Sequence, residues 1–130
     1  MTDLSDSRGL SASGLRAQAE RLRHLAENIA NVDTPGYRRK LTSFEAELSS
    51  RGPEGAVRTG PVRLDRTELP KIYDPSHPMA DATGYHDGSN VNLIIEIADA
   101  REAQRSYEAN LKLFDQARQM SRGLLDLLRR

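Results

Sequence analysis

Cysteine and tryptophan are absent from this 130-residue chain, and four Tyr and two Phe supply all of its aromatic surface. Without cysteine there is no disulfide framework and no thiolate metal site. Charge of one sign is also lacking: 19 basic residues meet 19 acidic ones, so no global field draws nucleic acid or an anionic membrane. No stretch approaches the roughly 20 apolar residues of a membrane span. Residues 1–20 hold no continuous apolar core of signal-peptide length, because Ser5, Asp6, Ser7, Arg8 and Ser13 interrupt it. A chain of this size has room for about one domain with a modest core.

Catalytic chemistry is thin as well. No glycine-rich phosphate loop follows a strand, and the serines at 5, 7, 11 and 13 have no neighbouring His–Asp arrangement. His77, Asp81, His86 and Asp87 have ligand chemistry, but none of the usual metal spacings joins them. A small metal-binding enzyme using His77, Asp81 and His86 is therefore the minor reading, and turn-forming loop residues are the preferred one. No catalytic residue, metal or cofactor is expected. In Arg38-Arg39-Lys40 a solvated or partner-facing charge cluster is preferred over a nucleic-acid contact.

What the chain does have is helical periodicity at both ends. From about Ser7 to Asn31, Leu15, Leu22 and Ile29 recur seven apart, with Leu25 and Val32 between them. A sustained seven-residue repeat makes a seam for another helix. Ala12, Ala19 and Ala26 form a small-residue row beside it, predicting close approach of a partner backbone. Arg16–Glu20 and Arg23–Glu27 stand at i,i+4 on the far side. Thr34-Pro35-Gly36-Tyr37 ends this helix and predicts a type II turn with Gly36 at positive φ. Asn28 and Asn31 are placed to bond backbone near the helix end.

The second periodic segment begins near Val91, with Asn90 as the expected N-cap. Leu93, Ile97, Ala100, Tyr107, Leu111, Phe114 and Leu125 fall on one face, widened by Ala103 and Ala117, and Glu96 and Asp99 fall mostly outside it. Between the helices, residues 38–89 are punctuated by proline and glycine. Phe44 and Leu48 suggest a short helical turn. Ala56–Thr59, Val62–Asp65 and Leu69–Tyr73 suggest short strands, with a turn at Gly60-Pro61 between the first two. The expected fold is mainly α: helical segments 1–37 and 90–130 pair as a coiled-coil domain around an extended or small β-rich middle, 38–89. Two helices do not enclose a full core, so the exposed remainder of each stripe calls for partner chains. The candidate assembly interface is Leu15, Leu22, Ile29, Ile97, Tyr107, Leu111 and Phe114.

Three stretches carry a resemblance. Leu10-Ser11-Ala12-Ser13-Gly14-Leu15 with Ala26–Tyr37, and Arg105-Ser106-Tyr107-Glu108-Ala109-Asn110-Leu111, resemble the terminal signatures of bacterial flagellar rod and hook proteins. Asp74–Tyr85 is similar to a stretch in the short proximal-rod members of that family. Residues 46–72 add nothing diagnostic. The compact Thr34–Tyr37 and the run Asp87-Gly88-Ser89-Asn90-Val91 leave two kinds of proximal-rod subunit open.

The resemblance implies a non-catalytic, torque-transmitting structural subunit of the periplasm-spanning basal-body rod. Its terminal helices would assemble with other rod subunits and with further copies of itself. It also implies passage through the flagellar type III export apparatus without a cleaved signal peptide, and neither nucleic-acid binding nor integral membrane insertion. Asn28, Asn31, Pro35, Gly36 and Tyr37 would be the family motif. Phe44 and Leu48 fit an aromatic–x–x–x–hydrophobic export-gate motif, one helical turn apart, with packing on the terminal helices as the equal alternative.

Overall fold

A computed structural model describes residues 2–48 and 53–130. Helix α1 spans Thr2–Ala30 and helix α2 spans Leu93–Leu128; between them lie β1 (Lys40–Leu41), β2 (Phe44–Ala46), β3 (Val57–Thr59), β4 (Arg63–Leu64), β5 (Lys71–Tyr73) and β6 (Tyr85–Asp87). The mainly α expectation holds, and α1 begins several residues before Ser7. The two helices pack antiparallel: Gly14 lies against Asn110, Arg21 Nη2 is 3.7 Å from Glu102, and Asn28 meets Glu96.

The inner face of α2 differs from the expected one. It is Glu96, Ala103, Asn110 and Ala117, spaced by sevens; Glu96 and Ala103 are wholly buried and Ala117 nearly so. The large residues assigned to the seam lie to its side, with Ile97 and Leu111 both 41% exposed and Tyr107 and Phe114 half-buried. Small side chains at the contact let the axes close up, and the bulky ones are displaced outward. On α1 the expected row is not the buried one: Ala19 and Ala26 are exposed, while Ser11, Ser13, Ala17, His24, Leu25 and Asn28 are buried, Ser13 Oγ accepting from Val57 N–H of the first hairpin at 3.2 Å. A Cβ on Gly14 would stand 2.8 Å from the Asn110 amide, so a larger residue there must displace that side chain. Leu25 is the one large aliphatic side chain buried among the described residues, and Leu15, Leu22 and Ile29 are half-buried.

The middle of the chain is two hairpins. Residues 39–47 pair antiparallel with 56–65 along nearly their whole length, from Asp65 N–H donating to Arg39 O (2.7 Å) to Glu47 N–H donating to Ala56 O (2.8 Å). Between the pairs Leu41–Arg63 and Ser43–Gly60, Thr42 on one leg faces Pro61 and Val62 on the other. The extra residue is a β-bulge, located where proline has no N–H to give the ladder. Gly60-Pro61 is thus a kink within one leg, not the expected hairpin turn. The expected strands are present in shortened form, but Phe44 lies in β2 rather than in a helix. A short segment gains little from starting an isolated helix, because nucleation is costly, whereas the β3 leg offers backbone partners to Phe44, Glu45 and Ala46. Asx and proline geometry shape the second hairpin, β5–β6, which is tied by the Lys71–Asp87 ion pair and by Tyr73 against Tyr85, ring centroids 5.1 Å apart.

Candidate functional site

The site begins with the exit from α1. Asn31 donates from Nδ2 to Glu27 O (2.8 Å), capping the last turn, and Thr34 Oγ1 donates to Asn31 Oδ1 (3.0 Å). Tyr37 N–H then donates to Thr34 O at 3.1 Å around Gly36, whose φ is +74°, so the type II turn forms as expected. Pro35 is half-buried and Gly36 donates its N–H to Asp87 O and Gly88 O, both 3.2 Å. The turn reverses the chain so that residues 37–40 pass back across the end of α1.

There they meet Asn28, which is completely buried. Its amide is used in full. Nδ2 donates to Lys40 O (3.0 Å) and to Glu96 Oε2 (3.2 Å), and Oδ1 accepts from Lys40 N–H (2.9 Å) and from Tyr37 Oη (2.8 Å). Burial holds the Tyr37 phenol above its ordinary pKa. The other oxygen of Glu96 takes Arg39 Nε, and the same guanidinium reaches Asp99 (3.3 Å) and Asp65 (3.9 Å). Arg39 N–H donates to Asn90 Oδ1 (2.6 Å), and Asn90 Nδ2 donates to Asp65 O (2.9 Å). α1, the turn, the first hairpin and α2 are thereby joined in one polar knot.

Several expectations are corrected here. Asn90 does not cap α2; Asn92 does, its Oδ1 accepting from Ile94 N–H at 3.1 Å, because Asn90 is committed to the knot. Arg38-Arg39-Lys40 is not a free charge cluster. Arg39 neutralises Glu96, Lys40 pairs with Glu27, and Arg38 Nη1 donates to Thr67 O (3.0 Å) and Asp65 O (3.3 Å). Arg23 pairs with Glu20 rather than Glu27, whose carboxylate Lys40 has taken. Glu96 faces into the helix pair, at the end where it meets Asn28, and not outside it.

His77 and His86 stack with ring centroids 3.9 Å apart, while Asp81 Oδ1 accepts from Thr83 N–H (2.9 Å) and Tyr85 N–H (3.1 Å). Among the described residues no group of three His, Asp or Glu is placed to hold a metal ion. Phe44, 43% exposed, lines a cleft with Leu10, Gly14, Ala17 and Asn110, whereas Leu48 is 93% exposed. The helical pairing of these two side chains is not present.

The sequence pattern does not mark Glu96 and Arg39 as site residues. The seven-residue row Glu96–Ala103–Asn110–Ala117 was a usable signal, but a charge in a seam is discounted when large apolar residues offer another register.

Comparison with known proteins bears on the same segments. Residues 10–38 match the family described as "Flagella basal body rod protein", and residues 82–127 match "Flagellar basal body rod FlgEFG protein C-terminal". The chain is 42% identical to the flagellar basal-body rod protein FlgC of Agrobacterium fabrum, over 99% of this chain and 98% of that protein. It is 31% identical to FlgC of Salmonella typhimurium (91% and 92% covered) and 32% identical to FlgC of Borreliella burgdorferi (96% and 97% covered).

Proposed function

The chain belongs to the FlgC family of flagellar basal-body rod proteins, and from that premise we propose how it is built into the rod. As a member it is a structural subunit of the proximal rod, assembled with other rod subunits, and not an enzyme. Among the described residues no helix is long and apolar enough to cross a membrane.

The proposed contact surface is the outer apolar side of the helix pair: Ile97, Tyr107, Leu111 and Phe114 on α2, with Leu15, Leu22 and Ile29 on α1. One observation carries this. The intramolecular seam uses Glu96, Ala103, Asn110 and Ala117, so α2 keeps its bulky side chains exposed, Ile94 at 80% and Ile97 and Leu111 at 41%. Several exposed large apolar side chains along one helix of a small chain favour a partner contact. Neighbouring rod subunits and further copies of this chain are the partners that fit.

Delivery is proposed to run through the flagellar type III export apparatus without a cleaved signal peptide. Phe44 and Leu48 would be read in the unfolded chain, since the folded one holds Phe44 in a strand.

The test is Leu111→Asp. An exposed position tolerates the change in the monomer within about 0.5 kcal/mol, but at a dry interface an unpaired carboxylate costs several kcal/mol. The variant should be made, fold and be exported, yet fail to complete the rod, with loss of motility. Normal swimming would show that position 111 faces no partner. Phe44→Ala should reduce export while leaving delivered subunits able to assemble; unchanged export would remove Phe44 from the delivery reading.

A further inference from the structure

The Asn28–Glu96 knot has a consequence for the order in which the molecule closes. Glu96 is fully buried where α2 crosses the end of α1, and α1 itself offers it only one neutral amide hydrogen, from Asn28. Its counter-charge, Arg39, comes from the first hairpin. The hairpin also holds Asn28, through both backbone groups of Lys40, and the turn holds it through Tyr37 Oη. If the helices paired before the hairpin docked, Glu96 would face the end of α1 without its cation and Asn28 would lose three of its four bonds. Removing one partner of a buried pair is far more costly than never having the pair.

We propose that this arrangement makes the pairing of α1 with α2 conditional on docking of the first hairpin. The buried carboxylate acts as a lock: the helix seam closes in this register only when residues 37–40 arrive to neutralise and bond it. Helix association and hairpin docking are then one cooperative step. A half-folded chain cannot form the native helix pair alone. This follows from contacts within one chain and does not depend on which surfaces meet neighbouring subunits.

Native-state hydrogen exchange on the dilute full-length protein tests it. In the unaltered chain, amides of the hairpin (Phe44–Ala46, Val57–Thr59) and of the seam (Ala17–Leu25, Ala103–Asn110) should exchange through a common opening. Arg39→Ala should deprotect both sets together and lower the unfolding midpoint by about 10 °C or more. Arg39→Met with Glu96→Leu removes both charges, restores the midpoint and should uncouple the two sets, the seam staying protected while the hairpin opens more readily. If Arg39→Ala fails to fold, recovery of folding on adding Glu96→Leu supports the lock, and no recovery overturns it. Arg39→Ala that loosens the hairpin but leaves seam protection unchanged also overturns it, because the helices then pair on their own.

Discussion

Asn28 and Glu96, 68 residues apart in sequence, meet at 3.2 Å where neither is exposed to solvent. The contact makes an asparagine of the N-terminal motif the partner of an acid in the first turn of α2. It shows why a helix end that needed only a stop carries two asparagines with different tasks: Asn31 caps the turn, and Asn28 reaches out of the helix to three other segments.

Asn28→Ala should therefore cost far more than Asn31→Ala. The first strands buried groups on Tyr37, Lys40 and Glu96 and is expected to lose about 2–4 kcal/mol; the second gives up a half-buried bond to Glu27 O, about 1 kcal/mol. Urea unfolding of the two variants measures both. Equal losses would mean that the Asn28 network contributes no more than an ordinary cap.

Tyr37→Phe deletes one hydrogen bond to Asn28 Oδ1 and keeps the ring. A loss of about 1 kcal/mol is expected in the native background. In an Asn28→Ala background the same change should be nearly free, since its partner has gone. A double-mutant cycle with no coupling would separate the two residues.

Gly14 is tested with its neighbour. Alanine there gains about 1 kcal/mol of helix propensity, but its Cβ falls 2.8–2.9 Å from the Asn110 amide atoms. Gly14→Ala alone should come out near neutral or destabilising. Together with Asn110→Ala, which opens the space, it should recover stability relative to Asn110→Ala alone. Thermal melts of the four proteins decide it; an additive result would mean that the helices are not in close contact at this point.

Stability should fall at both pH extremes. Glu27 is held below its ordinary 4.5, chiefly by the Lys40 hydrogen bond, and Asp65 below its ordinary 3.8 by the Thr67 hydroxyl and N–H. Asp74 and Asp81 are lowered in the same way by Ser76, and by Thr83 with Tyr85 N–H. Depressed folded values mean that the unfolded chain protonates first. This contribution is complete above those ordinary values and is lost as pH drops through the folded ones. Lys40 and Lys71 are raised above 10.5 by Glu27 and Asp87, and Tyr37 above 10.0 by burial, so their contribution is complete below those values and is lost as pH rises through the folded ones. A urea midpoint that stays flat down to about pH 3 would contradict the acid limb; Glu27→Gln should make that limb shallower.

Local sequence suffices for the two helices and for the turn that ends the first of them. Helical periodicity placed α1 and α2, and Pro35-Gly36 set the type II turn, because φ > 0 at Gly36 and the restriction before proline are properties of a few adjacent residues. The exposed apolar surplus was also legible, since it depends only on how little interior two helices enclose. Which face of α2 turns inward depends on contacts distant in sequence. Two seven-residue rows were available, one rich in Ile and Leu and one carrying Glu96, Ala103, Asn110 and Ala117, and periodicity cannot rank them. The second is inner because Arg39, delivered by a hairpin more than 50 residues earlier in the chain, neutralises Glu96 there and the small residues behind it admit α1. Neutralising a buried charge is a long-range event, so Arg39 read as surface and Glu96 as solvent-facing until both were in place.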